Sequence, residues 1–382
     1  MSKKNIFIIA GEVSGDIHGA GLMREIRKLS PDVVFTGIGG KEMISEGLNL
    51  ISDNRELAVV GLIEILQHIK PISNAYLKTQ KFLRENRPDL LILIDYPGFN
   101  MRIGMKAKKL GIKVFYYIAP QVWAWKEGRI KKLRKFVDKM AVILPFEEEY
   151  FKKHGLDAQY VGSPLKDSVR NFSETEKINF FKKNNINKNQ TIISLLPGSR
   201  DGECKRIFPL LIDSAAIIKD KIADIQFIVP LAPNIEESFL LSIKDFKEKE
   251  LDIKFVRDNT NLAISASSLC ILASGTVSLE TCLLGTPLIV TYKLSPLTSY
   301  IAKKLIKVPF VSLVNLIAGK EVVPELLLDK ANPETISETA VSILNSPEKI
   351  MEMKKIFHEV TEKIGEKKAS EEAAKIVISM LN

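Results

Sequence analysis

Short apolar runs alternate with longer segments of helical periodicity from one end of the chain to the other. In the first half, the runs expected to be strands are Asn5–Ala10, Val33–Ile38, Leu90–Ile94, Val114–Ile118 and Met140–Leu144. Helical patterns lie between them at Gly19–Leu29, Ser73–Glu85, Arg102–Leu110 and Glu127–Phe136. This alternation predicts a mostly parallel sheet with helices on both faces. Runs without a polar break fit strands buried on both sides.

The pattern pauses near Gly162-Ser163-Pro164, and a polar stretch rich in Lys and Asn follows from Asn171 to Gln190. Alternation restarts with Thr191–Leu195, Gln226–Val229, Ile253–Val256, Leu269–Leu272 and Leu288–Thr291. The chain has 382 residues, whereas single cores stop growing near ~250 residues. Two doubly wound α/β domains are therefore expected, 1–164 and 165–364. Helical patterns close the chain at Glu348–Lys363 and Ser370–Leu381, with a break at Gly365. Residues 365–382 form a terminal helix that can pack back on the first domain. Doubly wound sheets bind ligands outside the carboxyl ends of their strands, so a cleft between the domains is the expected site.

Composition narrows the classes. No stretch approaches the ~20 apolar residues of a membrane span. Two lysines and a short apolar run open the chain, but Glu12 and Asp16 come directly after that run. A buried first strand of a cytoplasmic protein is expected there, not a leader. Cys204, Cys270 and Cys282 form no CxxC pair, and the four histidines lack ligand spacing. Neither zinc nor a disulfide framework is suggested, and no cofactor is called for. The formal charge of +9 fits nucleic acid, an anionic membrane or a phosphorylated substrate.

Candidate chemistry falls just after the expected strands. Ala273-Ser274-Gly275-Thr276-Val277-Ser278-Leu279-Glu280 follows one strand and opens a helix. Gly275 permits close backbone approach, and a helix N-terminus at Thr276 suits a diphosphate. Glu280, about one turn in, can accept bonds from ribose hydroxyls. A plain helix start capped by Thr276 or Ser274 is the competing reading. Pro197-Gly198-Ser199-Arg200 places a turn and a cation where a phosphate can be held, Arg200 in bidentate fashion. A loop with a solvated arginine reads equally well.

In the first half, Gly11, Gly15 and Gly19 surround Glu12, Asp16 and His18, but the G-x-G-x-x-G spacing of a dinucleotide site is absent. Glu12 and Asp16 can face a sugar, although helix capping competes for Asp16. Asp95 ends a buried strand, where an idle charge is costly. It is a candidate general base, or a loop brace. Trp123 and Trp125 share a Pro-containing loop and can stack on a sugar, line an acyl groove or pin the loop. Lys126, Arg129, Lys131, Lys132, Arg134 and Lys135 come next, a solvated face or an attractor of anionic substrate. Between Ala58 and Lys70, Val59, Leu62, Ile63, Leu66 and Ile69 make an apolar helical face that Val60 and Ile65 widen. An acyl-binding, membrane-facing surface and an ordinary core helix are both open.

Taken in order, A-G-E-V-S-G-D at 10–16, D-Y-P-G-F-N at 95–100, P-Q-V-W-A-W at 120–125, L-P-G-S-R at 196–200 and S-G-T-V-S-L-E at 274–280 resemble the lipid-A-disaccharide synthase family. Asn315-Leu316-Ile317 with Val323-Pro324-Glu325-Leu326-Leu327 is similar to its last motif, which brings Asn315 in as a donor contact. The resemblance implies a GT-B fold of two Rossmann-like domains and an inverting hexosyltransferase without a metal. It implies UDP-2,3-diacylglucosamine as donor and 2,3-diacylglucosamine 1-phosphate (lipid X) as acceptor. The product would be the β-1,6 lipid A disaccharide 1-phosphate.

It further implies peripheral contact with the cytoplasmic face of an anionic inner membrane, with no nucleic acid bound; a homodimer is open. Gly98 stands where some relatives carry a second aspartate, and Leu328 where the last motif often has glutamine. Asp95 is the first expected base and Asp16 the second. Arg200, Ser199, Gly275, Thr276, Glu280 and Asn315 are expected on the donor. Glu12, Trp123, Trp125, Val60 and Ile65 are expected on the acceptor and its acyl chains. Another UDP-sugar enzyme of the same fold, an epimerase or a peptidoglycan-type transferase, is the alternative, ahead of a nucleic-acid-binding protein.

Overall fold

Thirteen strands of the computed structural model form two parallel sheets, among the described residues 3–57, 69–125, 127–243, 251–257, 259–293 and 308–382. The first sheet holds β1 (Asn5–Ala10), β2 (Val34–Gly39), β3 (Asn49–Asp53), β4 (Leu90–Ile94), β5 (Lys113–Tyr117), β6 (Lys139–Val142) and β7 (Ala158–Tyr160). Its order is β3-β2-β1-β4-β5-β6-β7. The second holds β8 (Thr191–Leu196), β9 (Ile225–Pro230), β10 (Ile253–Val256), β11 (Leu269–Ala273), β12 (Leu288–Tyr292) and β13 (Glu325–Leu327), ordered β10-β9-β8-β11-β12-β13. The all-apolar runs of β4 and β11 are buried at every position, as central strands covered on both faces must be.

The chain divides into two compact units, residues 1–164 with 366–382, and residues 165–365. In the first unit, α1 (Val13–Leu29) packs beside α2 (Lys41–Ser45), while α3 (Ile69–Asn86) packs on α4 (Pro97–Lys109). The pair α5 (Pro145–Lys153) and β7 completes it. The second unit carries α6 (Asp201–Lys221), α7 (Val277–Leu283), α8 (Leu313–Ala318), α9 (Pro333–Leu344) and α10 (Pro347–Ile364). The last helix, α11 (Ala369–Leu381), belongs to the first unit.

Composition explains how α11 fits there. Ala369, Ala373 and Ala374 let it approach α1, and Val377, Met380 and Leu381 join the core that contains Ile6, Ile8 and Leu22. Lys113 Nζ donates to the Met380 carbonyl at 2.5 Å, satisfying one of the last carbonyls of the helix. The chain enters this helix past Gly162, whose φ is +99°. A Cβ there would lie 2.1 Å from the Lys367 carbonyl oxygen, so no side chain fits.

Both sheets reverse direction once. In the first the reversal falls between β1 and β4, in the second between β8 and β11. The crevice at the strand carboxyl ends of such a switch point is where open α/β sheets bind ligands. Residues 11–12 and 95–96 border the first switch point, and residues 197–200 and 274–276 border the second.

Candidate active site

At the end of β4 the backbone turns through two left-handed residues, Asp95 (φ 41°) and Tyr96 (φ 43°). Non-glycine residues hold this conformation only where their surroundings over-determine it. Four hydrogen bonds do so here. The Asp95 carbonyl accepts from Tyr116 Oη at 2.7 Å and Asn100 Nδ2 at 2.8 Å. Asn100 Nδ2 also reaches the Ile94 carbonyl at 3.0 Å, and Tyr96 Oη donates to the Leu57 carbonyl at 2.8 Å. The Tyr96 ring lies over Gly11, where a Cβ would sit 2.4 Å from Tyr96 Cδ1. Directly after β5 comes a third such residue, β-branched Ile118 (φ 59°), at the start of the loop carrying Trp123.

The Asp95 carboxylate has no side-chain partner among the described residues. Burial, with the Glu12 charge second, pushes its pKa up to about 6; the Tyr96 backbone N–H is the one group that acts to lower it. Glu147, in the first turn of α5, is 1 % exposed and is not among the residues expected from sequence. One of its oxygens accepts the indole N–H of Trp123 at 3.0 Å. The other accepts the backbone N–H groups of Ile143 at 3.3 Å and Leu144 at 3.1 Å. Burial pushes Glu147 up to about 7, and the Asp95 charge adds to the shift. A proline at the helix start and a glutamate two residues later are the sequence signal for a helix start. Nothing in the sequence shows that an indole from another loop shares the carboxylate.

Asp16, expected as second base, is held by backbone amides. Its carboxylate is 4 % exposed and accepts the N–H groups of Gly40 at 2.7 Å, Glu42 at 3.0 Å and Met43 at 3.1 Å. It thus caps α2 from a neighbouring helix. Glu12 is half-buried at the N-cap of α1, and its side chain makes no cap bond. Trp123 packs edge-on against Phe146 at 5.0 Å. The Trp125 side chain, and Val60 and Ile65 with their whole segment 58–68, lie outside the described residues.

In the second unit, Gly198 turns the chain at φ +114° behind β8, and Asn234 Nδ2 fastens the Ser199 carbonyl at 2.8 Å. Arg200 is the N-cap residue of α6, and its exposed guanidinium lies 3.6 Å from Glu203. An exposed pair of this kind is worth ~0–1 kcal/mol, so the cation remains available to an anion. Gly275 and Thr276 are exposed, and a Cβ on Gly275 would meet nothing within 4 Å. Thr276 makes no cap bond with its side chain. Glu280 is half-buried, and burial raises its pKa. Its carboxylate has no hydrogen bond or ion pair among the described residues.

Asn315, expected on the donor, is held within the fold. It is 0 % exposed, and its amide is fully engaged within the fold. Its Oδ1 accepts from Val322 N at 2.7 Å and Val323 N at 3.0 Å. Its Nδ2 donates to the Val323 carbonyl at 2.9 Å and to Glu325 at 2.8 Å. Glu325 in turn accepts from Val311 N and Ser312 N, which lead into α8. The last motif is therefore a brace between α8 and β13. Among the described residues, no group of three or more His, Cys, Asp or Glu side chains could hold a metal ion.

A family model described as lipid-A-disaccharide synthetase matches residues 6–378. The chain belongs to that family. It is 41 % identical over 379 residues to the lipid-A-disaccharide synthase of Trichlorobacter lovleyi, covering 99 % of this chain and 98 % of that one. To the enzyme of Geobacter metallireducens it is 40 % identical, covering 99 % and 97 %. Among solved structures, it is similar to the UDP-GlcNAc 2-epimerase of Neisseria meningitidis, with a TM-score of 0.60, 14 % identity and 99 % of both chains covered. The calicheamicin glycosyltransferase CalG4 matches with a TM-score of 0.61 and 13 % identity, over 100 % of this chain and 99 % of that one. At such identity the likeness is one of fold, the GT-B type of two Rossmann-like domains.

Proposed function

We propose that this member of the lipid-A-disaccharide synthase family transfers 2,3-diacylglucosamine from UDP to the 6-hydroxyl of 2,3-diacylglucosamine 1-phosphate. The observation that carries the reading is the family match over residues 6–378. The geometry supplies matching chemistry at the carboxyl ends of both sheets.

Asp95 takes the proton of the acceptor 6-hydroxyl as that oxygen attacks the anomeric carbon from the face opposite UDP. The bond from the anomeric carbon to the diphosphate oxygen breaks, and the configuration inverts. A carboxyl group near pKa 6 is largely ionised at neutral pH and still basic enough to accept the proton. Charge develops on the departing diphosphate. Arg200 and the open backbone at Gly275 and Thr276 receive it, with Ser199 shaping the turn. Glu280 accepts from the ribose hydroxyls. Glu12 raises the basicity of Asp95, and Trp123 borders the acceptor side. Residues 1–164 then serve the acceptor and the membrane, and residues 165–364 the nucleotide sugar.

No described helix is long and apolar enough to cross a membrane. The acyl chains of both substrates instead call for peripheral contact with the cytoplasmic face of an anionic inner membrane. Turnover of UDP-2,3-diacylglucosamine with lipid X, measured as UDP release and disaccharide formation, tests the reading. Both products in equal amount are expected, with activity unaffected by EDTA. Conversion of the UDP-sugar without acceptor would instead make the chain an epimerase.

A further inference from the structure

Beside Asp95 lies a groove of about 610 Å³, formed by α3 and the start of α4. This is the size of a ligand pocket, for which ~300–1,000 Å³ is usual. Its wall is apolar: Ile72, Tyr76 and Leu77 on one side, Tyr96 and Phe99 on the other. The Phe99 ring stands 5.9 Å from Tyr76 and 6.1 Å from Tyr96, so three aromatic rings line it in a row. Leu77 is 62 % exposed, a large apolar side chain with no core to fill.

Two further features say what the groove suits. Arg102 lines it, is exposed, and its guanidinium has no hydrogen bond or ion pair among the described residues. An apolar channel with one uncommitted cation is complementary to an amphiphile with an anionic head. Gly98 also lines the groove, and a Cβ on Gly98 would meet nothing within 4 Å. The glycine has no conformational or packing cause here, and its effect is to leave the channel wide. A groove of about 500 Å³ in the other unit carries Glu321, Glu338 and Glu352 against Lys349, a net negative lining that suits the same ligand less well.

We infer that this groove holds one acyl chain of the phosphorylated acceptor, with Arg102 on its phosphate and Gly98 setting the room for the chain. The inference rests on the proposed transfer reaction. Tyr96 is shared by the groove wall and the strained turn that presents Asp95, so a chain seated here places its own sugar at the base. Acyl recognition is thereby coupled to chemistry.

The test is kcat/KM for a series of acceptors with shortened acyl chains, at saturating donor, in detergent solution. Wild type should lose about fourfold per methylene removed while the chain fills the groove. Gly98→Leu should lose tenfold or more with the longest acceptor and show a flattened length dependence. Its donor KM and its UDP affinity by calorimetry should stay within twofold. Gly98→Ala, whose single methyl group narrows the channel less, should fall between wild type and Gly98→Leu in its length dependence. Arg102→Gln should raise acceptor KM about tenfold, and do nothing to an acceptor lacking the phosphate.

An active wild type whose length dependence survives Gly98→Leu unchanged overturns the inference and leaves the reaction standing. A wild type inactive with both lipid substrates overturns the reaction itself. If the variants lose only binding to phosphatidylglycerol vesicles while solution kinetics hold, the groove docks membrane lipid and the inference is wrong.

Discussion

The indole N–H of Trp123 donates to the carboxylate of Glu147 across 3.0 Å, tying the loop after β5 to the start of α5. The same carboxylate holds the backbone of Ile143 and Leu144, so one buried side chain fixes the ends of two neighbouring strands. The electrostatic cause of its raised pKa includes Asp95, which places both acids within one field.

Glu147 should therefore tie stability to pH. Its pKa rises on folding from 4.5 to about 7. An acid raised on folding contributes stability that is fully present below its unfolded pKa and lost as pH rises through its folded one. Wild-type Tm should accordingly fall between about pH 4.5 and 7. Glu147→Gln abolishes that titration, and its Tm profile over the same window should be flatter. Parallel profiles for the two proteins would remove Glu147 as the cause.

Asp95→Asn keeps the shape of the turn and deletes the base. Turnover should drop by roughly 10²–10⁴, with the UDP dissociation constant unchanged. The wild-type acid limb of kcat/KM should lie near pH 6, where Asp95 is held. Glu12 is the like charge that helps raise it, so Glu12→Gln should move that limb to lower pH. A limb that stays put would mean another group carries the proton.

On the nucleotide side, Arg200→Ala should weaken UDP more than UMP, because only UDP offers a second phosphate. Glu280→Gln should weaken both nucleotides, about tenfold, with Tm unchanged. Calorimetry reads both. Equal losses for UDP and UMP in Arg200→Ala, or unaltered affinities in Glu280→Gln, would move the nucleotide elsewhere.

Asp16→Asn separates a cap from a base. With its oxygen kept on Gly40 and Met43, the new amide leaves the Glu42 N–H without an acceptor, at a cost of about 2–3 kcal/mol. Tm should drop by roughly 4–10 °C. Turnover per folded molecule should remain close to normal. Strong loss of turnover with an unaltered Tm would restore Asp16 to the chemistry.

Strand positions were legible because parallel strands are apolar on both faces, and the expected run Leu90–Ile94 coincides with β4. Helix starts were not. Sequence places one at Gly19, whereas α1 begins at Val13. Gly15 and Gly19 look like loop residues, yet they lie inside the helix and let it press on the sheet. A Cβ on Gly19 would come 2.6 Å from Met43 Sδ and 3.1 Å from Ile94 Cδ1. Likewise α4 starts at Pro97, ahead of the expected Arg102. Asp16 and Asp95 were legible as strand-end carboxylates, but their separate duties were not, and Glu147 was missed. What distinguishes the three is the set of amides and the indole that other parts of the chain bring to them, and no local pattern encodes that.

The return of α11 to the first unit sets an order of events during synthesis. Its buried residues complete a core that begins at Ile6, yet residues 165–365 are translated in between. At about 5–20 residues per second, that interval is roughly 10–40 s. For that time the nascent first unit displays the apolar flank of α1 that Ala373 and Val377 will cover. The second unit draws on one unbroken stretch of chain, so the half made later is the earlier one able to close its core.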